Sequence, residues 1–448
     1  MSEIRFDYST AKGKIKAMHA VGQPPMLGAS LDAFRYLTEA NIPYSRQHDT
    51  GGSFGGYVYV DIPNIFRDFD ADENAPASYD FAFTDHLLKG LKAANCEPYY
   101  RLGITIENYP NIKAYRLAPP KDFGKWARIC EHVIRHYNEG WADGFEMGIT
   151  YWEIWNEPDS FTGHKTAFNG SMMWQGTPEQ YFELYEVAAK HLKACFGDKI
   201  KVGGFASCGF YAASIAPKAH GLDVPGREDG EPSAACKFFI DFFHNFLRHI
   251  KTTDTPMDFF SWHTYDNVSN AMIQADYCAK VLADYGYTDC EVHCNEWNTA
   301  SKPENRGTSF ASASAAAMML AMQDKRMDIM CFYDARLGQS MYGGLFNPIS
   351  YKPFCTYYSF KAFGEMYKLG TQAASVTDGE NLYCVAAMDG DQHAAMISNL
   401  GDECEITTNL CSCMKAYLID VDHFMTEIEL DPKKFTLGKD QVVYFKNF

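Results

Sequence analysis

Between residues 16 and 370, short apolar segments alternate with longer amphipathic ones. The short segments are KAMHAV (16–21), YSRQHD (44–49), EPYYRLG (97–103), TYWEIWNE (150–157), KIKVGGFAS (199–207), DFFSWHTY (258–265), EVHCNEW (291–297) and DIMCFYDAR (328–336). Many are apolar almost throughout, as parallel strands covered on both faces should be. The segments between them, such as KDFGKWARICEHVIRHYNEG and SAACKFFIDFFHNFLRHIK, repeat apolar residues three and four positions apart, the period of a helix with one buried face. Eight strands and eight helices in strict alternation predict a (β/α)8 TIM barrel over residues 16–370.

Beyond residue 370 the pattern changes. NLYCVAAMDG, QHAAMISNL, CMKAYLIDV and QVVYFKNF are short strands punctuated by Gly, Asp and Asn, which predict a small antiparallel, sandwich-like β domain over 371–448. EIRFDYS near the start reads as one more strand, so residues 1–15 are expected to join that domain.

A length of 448 residues suits this division into one large and one small domain. The net charge of −17 opposes binding to phosphate backbones and argues against nucleic acid as a partner. No run of 18 or more apolar residues occurs, and MSEIRFDYSTAKGKIK lacks the apolar stretch of a signal peptide, so neither a membrane span nor export is expected. The 14 cysteines show no repeated spacing and read as free thiols in a reducing compartment, hence a cytoplasmic location. Two groups invite a zinc reading: Cys290, His293 and Cys294, and Cys411 with Cys413. Neighbouring strand residues point to opposite faces, and CSC lacks the usual two-residue spacer, so no metal and no cofactor are expected. Strand-edge pairing through the β domain leaves a homo-oligomer possible.

Barrel chemistry sits at the C-terminal strand ends. There the second strand carries Arg46, His48 and Asp49, the fourth Asn156 and Glu157, and the sixth His263 and Tyr265. The seventh carries Glu296, Trp297 and Asn298, and the eighth Tyr333, Asp334 and Arg336. Glu157 and Glu296 would face each other across the mouth, and paired carboxylates are what glycosidic cleavage requires. The Gly-rich TGGSFGGYVYV (50–60) follows the second strand and is expected to wall the pocket; it lacks the ending of a phosphate loop.

WEIWNEPD resembles the acid/base signature of glycoside hydrolase clan A, and CNEWN its nucleophile strand. Within the clan, RQHD, NIFRDFDADENAPASYDFAFTDHLL and SWHTYD are similar to family 39, which contains β-xylosidases and α-L-iduronidase. The likeness covers residues 16–370. It implies Glu157 as general acid/base, Glu296 as nucleophile and Asn156 on the sugar 2-hydroxyl. It also implies that His48 contacts the same sugar, while His263 and Tyr265 shape the pocket and orient Glu296. Trp297, Tyr333, Asp334 and Arg336 complete the expected carbohydrate-binding set. Tyr333 stands where many clan members have tryptophan, and Arg336 could bind a uronic-acid carboxylate or pair with Asp334. The YGGL segment resembles arabinofuranosidases of the clan. The resemblance implies a retaining exo-glycosidase releasing terminal pentosides, β-xyloside or arabinoside, from oligosaccharides. The alternatives are an iduronidase-like enzyme, a non-catalytic carbohydrate-binding protein of the same fold, and a metal-dependent barrel hydrolase.

Overall fold

The computed structural model describes residues 2–26, 30–50, 59–104, 117–160, 173–338 and 342–448. The Gly-rich segment expected to wall the pocket falls largely on 51–58, outside the described residues. Eight parallel strands close into a barrel: β2 (Ala17–Gly22), β3 (Tyr44–Gln47), β4 (Glu97–Leu102), β5 (Tyr151–Ile154), β6 (Lys201–Ser207), β7 (Phe259–Thr264), β8 (Glu291–Trp297) and β9 (Ile329–Tyr333). Helices cover them, among them Phe123–Glu139 after β4, Pro178–Phe196 after β5 and Ala234–Thr252 after β6. Their starts follow the chemistry of orphan N–H groups: Asp122, Thr177, Ser233 and Asn267 each accept a backbone N–H from the first turn.

The remaining strands form a nine-stranded sheet. It is built from β10 (Thr371–Thr377), β11 (Leu382–Asp389), β12 (Gln392–Asn399), β13 (Cys404–Thr408), β14 (Lys415–Ile419), β15 (Phe424–Ile428), β16 (Lys434–Leu437), β17 (Gln441–Lys446) and, between β10 and β13, the N-terminal β1 (Ser2–Lys14). β1 runs antiparallel to β10 but parallel to β13. The sheet curls: Phe435 on the edge strand β16 packs 5.5 Å from Phe445 on β17, six strands away in the ladder. Ile4, Phe6, Ile397, Ile406 and Val443 fill the space enclosed. The helix Ser309–Met322 lies between barrel and sheet, and its small, apolar sequence follows from being covered on nearly every side. Ser398 Oγ of β12 donates to the carbonyl of Ala313 at 2.7 Å and ties the two layers together.

Candidate active site

The barrel lumen is filled in layers. At the strand beginnings Tyr99 stacks on Tyr151 at 5.3 Å and Phe259 on His293 at 4.7 Å, an aromatic floor. Above it lies a charged layer. Arg46 donates from Nε to Glu153 at 2.8 Å, Ser261 Oγ donates to the same carboxylate at 2.6 Å, and Asn295 Nδ2 reaches it from the other side. Arg46 and Glu153 are almost wholly buried, which is tolerable only because each compensates the other. The outer layer, open to the mouth, holds Glu157, Glu296, His263 and Asn156.

Local backbone geometry aims these groups. β5 ends at Ile154, and Trp155 and Glu157 both take positive φ, 73° and 44°, a region costly for residues with a Cβ. The turn is held by Trp155 N–H donating to Leu102 O at 2.7 Å, by its indole donating to Met173 O at 2.9 Å, and by Glu157 N–H donating to Ala206 O at 3.0 Å. Asp159, two residues on, accepts from Ser207 Oγ at 2.7 Å and from Cys208 N–H at 3.1 Å, pinning the turn to the end of β6. On β8 the register slips relative to β7: Cys294 pairs with Trp262, but Glu296 pairs with His263. This irregularity lets two consecutive residues face the lumen, Asn295 toward Glu153 and Glu296 toward the mouth.

The carboxylates of Glu157 and Glu296 and a ring nitrogen of His263 come within 4.8 Å of one another. His263 Nδ1 stands 2.7 Å from Glu157 Oε1 and 3.5 Å from Glu296 Oε2. Glu296 also receives the Tyr265 hydroxyl at 2.5 Å and Arg46 Nη1 at 3.1 Å, while Arg46 Nη2 donates to Asn156 Oδ1 at 2.6 Å. Burial raises both carboxyls, each to about 7, and Arg46 opposes the rise in both. The donors gathered on Glu296 favour its ionised form, so a proton held by the pair rests on Glu157. Burial lowers His263 to about 4 and keeps it neutral.

Around this centre Tyr265 stacks on Tyr342 at 4.5 Å, with Tyr333 5.3 Å from Tyr342, making an aromatic wall. The Tyr333 hydroxyl donates to Asp49 at 2.7 Å and accepts from Gln23 Nε2 at the same distance. Asp334 is fully buried and accepts from Arg336 Nη2 at 3.3 Å.

The structure thus gathers Glu157, Glu296, Asn156, His263 and Tyr265, with Tyr333 in the wall. It corrects two expectations. Trp297 turns away from the mouth and packs 5.0 Å from Phe332 and 6.2 Å from Phe360, because it follows the inward-facing Glu296 on the strand. His48 already has both ring nitrogens engaged: Arg101 Nε donates to Nδ1 at 3.1 Å, and Nε2 lies 3.2 Å from Asp49. Burial lowers it to about 3, so it is neutral and orients Asp49 rather than offering a free nitrogen to a sugar. Arg46, Glu153, Asp49 and Tyr342 are the members that sequence reasoning left without a role. For Arg46 and Glu153 the available signal was a charged residue inside a strand covered on both faces.

The three converging groups Glu157, His263 and Glu296 could offer donors to a cation, but both oxygens of Glu296 already accept, Oε1 from the Tyr265 hydroxyl and Oε2 from Arg46 Nη1. The donor set therefore suits proton transfer and nucleophilic attack better than metal chemistry. His293 and Cys294 point to opposite faces, the first to the lumen beside Tyr99 at 3.1 Å, the second into the outer core. Of the cysteines, 12 are free, whereas Cys411 and Cys413 are paired as a disulfide, a departure from the expectation of free thiols throughout. A cavity of about 840 Å³ opens at the opposite end of the barrel, lined by Lys14, Asn41, Tyr44, Glu97 and Tyr367 among others. It lies at the strand beginnings and brings together no pair of acids.

The model of the family "Glycosyl hydrolases family 39" matches residues 53–335. A β-xylosidase of Caldicellulosiruptor saccharolyticus is 26% identical over 264 residues, 56% of this chain and 46% of that protein. A β-xylosidase of Geobacillus stearothermophilus is 29% identical over 162 residues, 35% of this chain and 30% of that protein. The aligned stretches thus span less than half the length of these curated relatives. Among solved structures, a glucosidase from Croceicoccus marinus superposes with a TM-score of 0.75 at 20% identity, covering 100% of this chain and 98% of that one. A family 39 β-xylosidase from Caulobacter crescentus does so with a TM-score of 0.66 at 16% identity, covering 99% of each. At such identities the superpositions speak for the fold.

Proposed function

Since the chain belongs to glycosyl hydrolase family 39, we propose that it is a retaining exo-glycosidase that removes terminal pentosides, β-xyloside or arabinoside, from oligosaccharides. The observation that carries the retaining reading is the approach of the two carboxylates to within 4.8 Å. Retaining enzymes hold their carboxyl groups about 5–5.5 Å apart, whereas inverting ones leave about 6.5–9.5 Å for a water.

In this mechanism Glu296, ionised and oriented by Tyr265 and Arg46, attacks the anomeric carbon while Glu157 delivers its proton to the leaving oxygen. Esterification removes the charge of Glu296. Glu157 then becomes more acidic and takes a proton from the water that releases the sugar. His263, neutral and next to both carboxylates, holds them in register through the two steps. Asn156, held by Arg46, would meet the sugar 2-hydroxyl in this reading. The pairing of Arg336 with Asp334 supports a neutral sugar over a uronic acid. The 12 free cysteines support a cytoplasmic location, where imported fragments would be the substrate; cell fractionation checks this.

A panel of p-nitrophenyl glycosides, followed by NMR of the first-formed anomer, tests the reading. Retention on a pentoside supports it; a first product of inverted configuration overturns the mechanism, and no turnover of any glycoside favours a carbohydrate-binding role. Glu157→Ala should slow deglycosylation by roughly 10²–10⁴-fold while sparing attack on substrates with good leaving groups, and azide should restore turnover. Near-normal activity in Glu296→Ala would remove that residue from the role of nucleophile.

A further inference from the structure

We infer that Glu131, His191 and Cys195 form a surface site for one zinc-type divalent cation. The three belong to two neighbouring outer helices, Phe123–Glu139 and Pro178–Phe196. His191 and Cys195 are four residues apart and so lie one above the other on the same helix face. Glu131 reaches them from the adjacent helix, and one donor atom from each residue comes within 4.8 Å of the others. His191 Nε2 faces both partners, 2.6 Å from Glu131 Oε2 and 3.7 Å from Cys195 Sγ. All three side chains are partly exposed, so the position is reachable from solvent.

Zinc binds imidazole nitrogen at about 2.0–2.1 Å, thiolate at about 2.3 Å and carboxylate oxygen at about 2.0–2.2 Å, which in a tetrahedron sets donors roughly 3.3–3.8 Å apart. The nitrogen–sulfur separation already fits. The nitrogen–oxygen separation must open by roughly 0.7 Å, within reach of a partly exposed carboxylate. The other oxygen of Glu131 accepts from Arg135 Nε at 2.7 Å, which leaves Oε2 as a single directed donor. Arg135 is shared with Glu139, so its charge is offset beside the site. A mixed nitrogen, sulfur and oxygen set favours zinc over calcium or magnesium, and the fourth position is left for water. On binding, a metal–sulfur bond forms as the S–H bond breaks, and the proton leaves to solvent. The site lies on outer helices, whereas Glu157 and Glu296 stand at the barrel mouth, and it does not rest on the glycosidase reading.

The test is titration of the full chain, stripped by chelator, with Co²⁺ and then displacement by Zn²⁺. One equivalent of cobalt should give four-coordinate visible bands together with a near-ultraviolet thiolate-to-cobalt charge-transfer band, both erased by zinc. Cys195→Ser should lose the charge-transfer band, and His191→Ala and Glu131→Gln should each weaken binding by roughly tenfold or more, with the thermal melting of each variant recorded as a check on folding. Absence of the band in the unaltered chain overturns the inference. So does a band that persists in Cys195→Ser, which would assign the metal to another of the free thiols.

Discussion

Glu157 and Glu296 carry the same side chain in the same cleft, and their neighbours separate their chemistry. Glu296 takes a phenol hydroxyl and a guanidinium N–H, whereas Glu157 has the neutral His263. Tyr265→Phe removes a charge-assisted hydrogen bond of about 1.5–3 kcal/mol. It should lower kcat by roughly 10–100-fold with a smaller change in KM, and move the acidic limb of the pH–rate profile upward, since ionised Glu296 loses a donor. The raised carboxyls also bear on stability. Glu157 has a folded-state value of about 7 against an ordinary 4.5, so its contribution is complete below about 4.5 and is lost as pH rises through 7. Glu157→Gln should therefore unfold at a higher temperature than the unaltered chain at pH 8, with the difference shrinking toward pH 5; calorimetry across that range reads it. Arg46→Met should cost about 3–5 kcal/mol in urea unfolding, because it leaves Glu153 and Glu296 buried beside no cation, and adding Glu153→Met should restore part of the loss. The two glutamates were legible because each sits in a motif at a strand end. The role of Arg46 was not, since its partners Glu153, Asn156 and Glu296 lie more than a hundred residues away along the chain and only barrel closure brings them together.

At the scale of elements, hydrophobic period carried most of the reading. All eight barrel strands fall where the short apolar segments stand, and their ends differ by a few residues at most. The fourth was expected to reach Glu157 but stops at Ile154, where a positive-φ turn takes over. The slip on β8 was invisible because alternation alone gives one facing to every second residue, and it is the slip that decides the different fates of Glu296 and Trp297. In the sheet, β10, β13, β15 and β16 were missed: TQAASVT, CEITT, FMTEI and KFTL are short and half exposed, so their pattern is faint. Helix packing offers a sharp check. Gly364, in the helix Cys355–Leu369, lies against the carbonyl of Ala40, and a Cβ there would overlap that oxygen. Gly364→Ala should destabilise the fold by about 1–3 kcal/mol, read from the urea midpoint, although alanine is the better helix former.

In the molecule as a whole, the barrel and the curled sheet meet through the helices Ser309–Met322 and Cys355–Leu369, and no described helix is long and apolar enough to cross a membrane. The position of β1 matters most at this scale. It lies inside the sheet, with β10 on one side and β13, followed by the edge strand β16, on the other. Deleting residues 2–14 should detach β13 and β16 from their neighbours, and limited proteolysis should then cut within 402–440 while the barrel stays intact. Resistance of that region in the shortened chain would show that the curl holds without β1.

The same arrangement imposes an order on biosynthesis. A ribosome releases β1 long before any of its partners, so the first strand must wait, unpaired, while some three hundred and fifty residues of barrel are translated before β10 emerges beside it. Until β10 appears the nascent chain carries an open strand edge, which makes β1 a place where a chaperone would be needed.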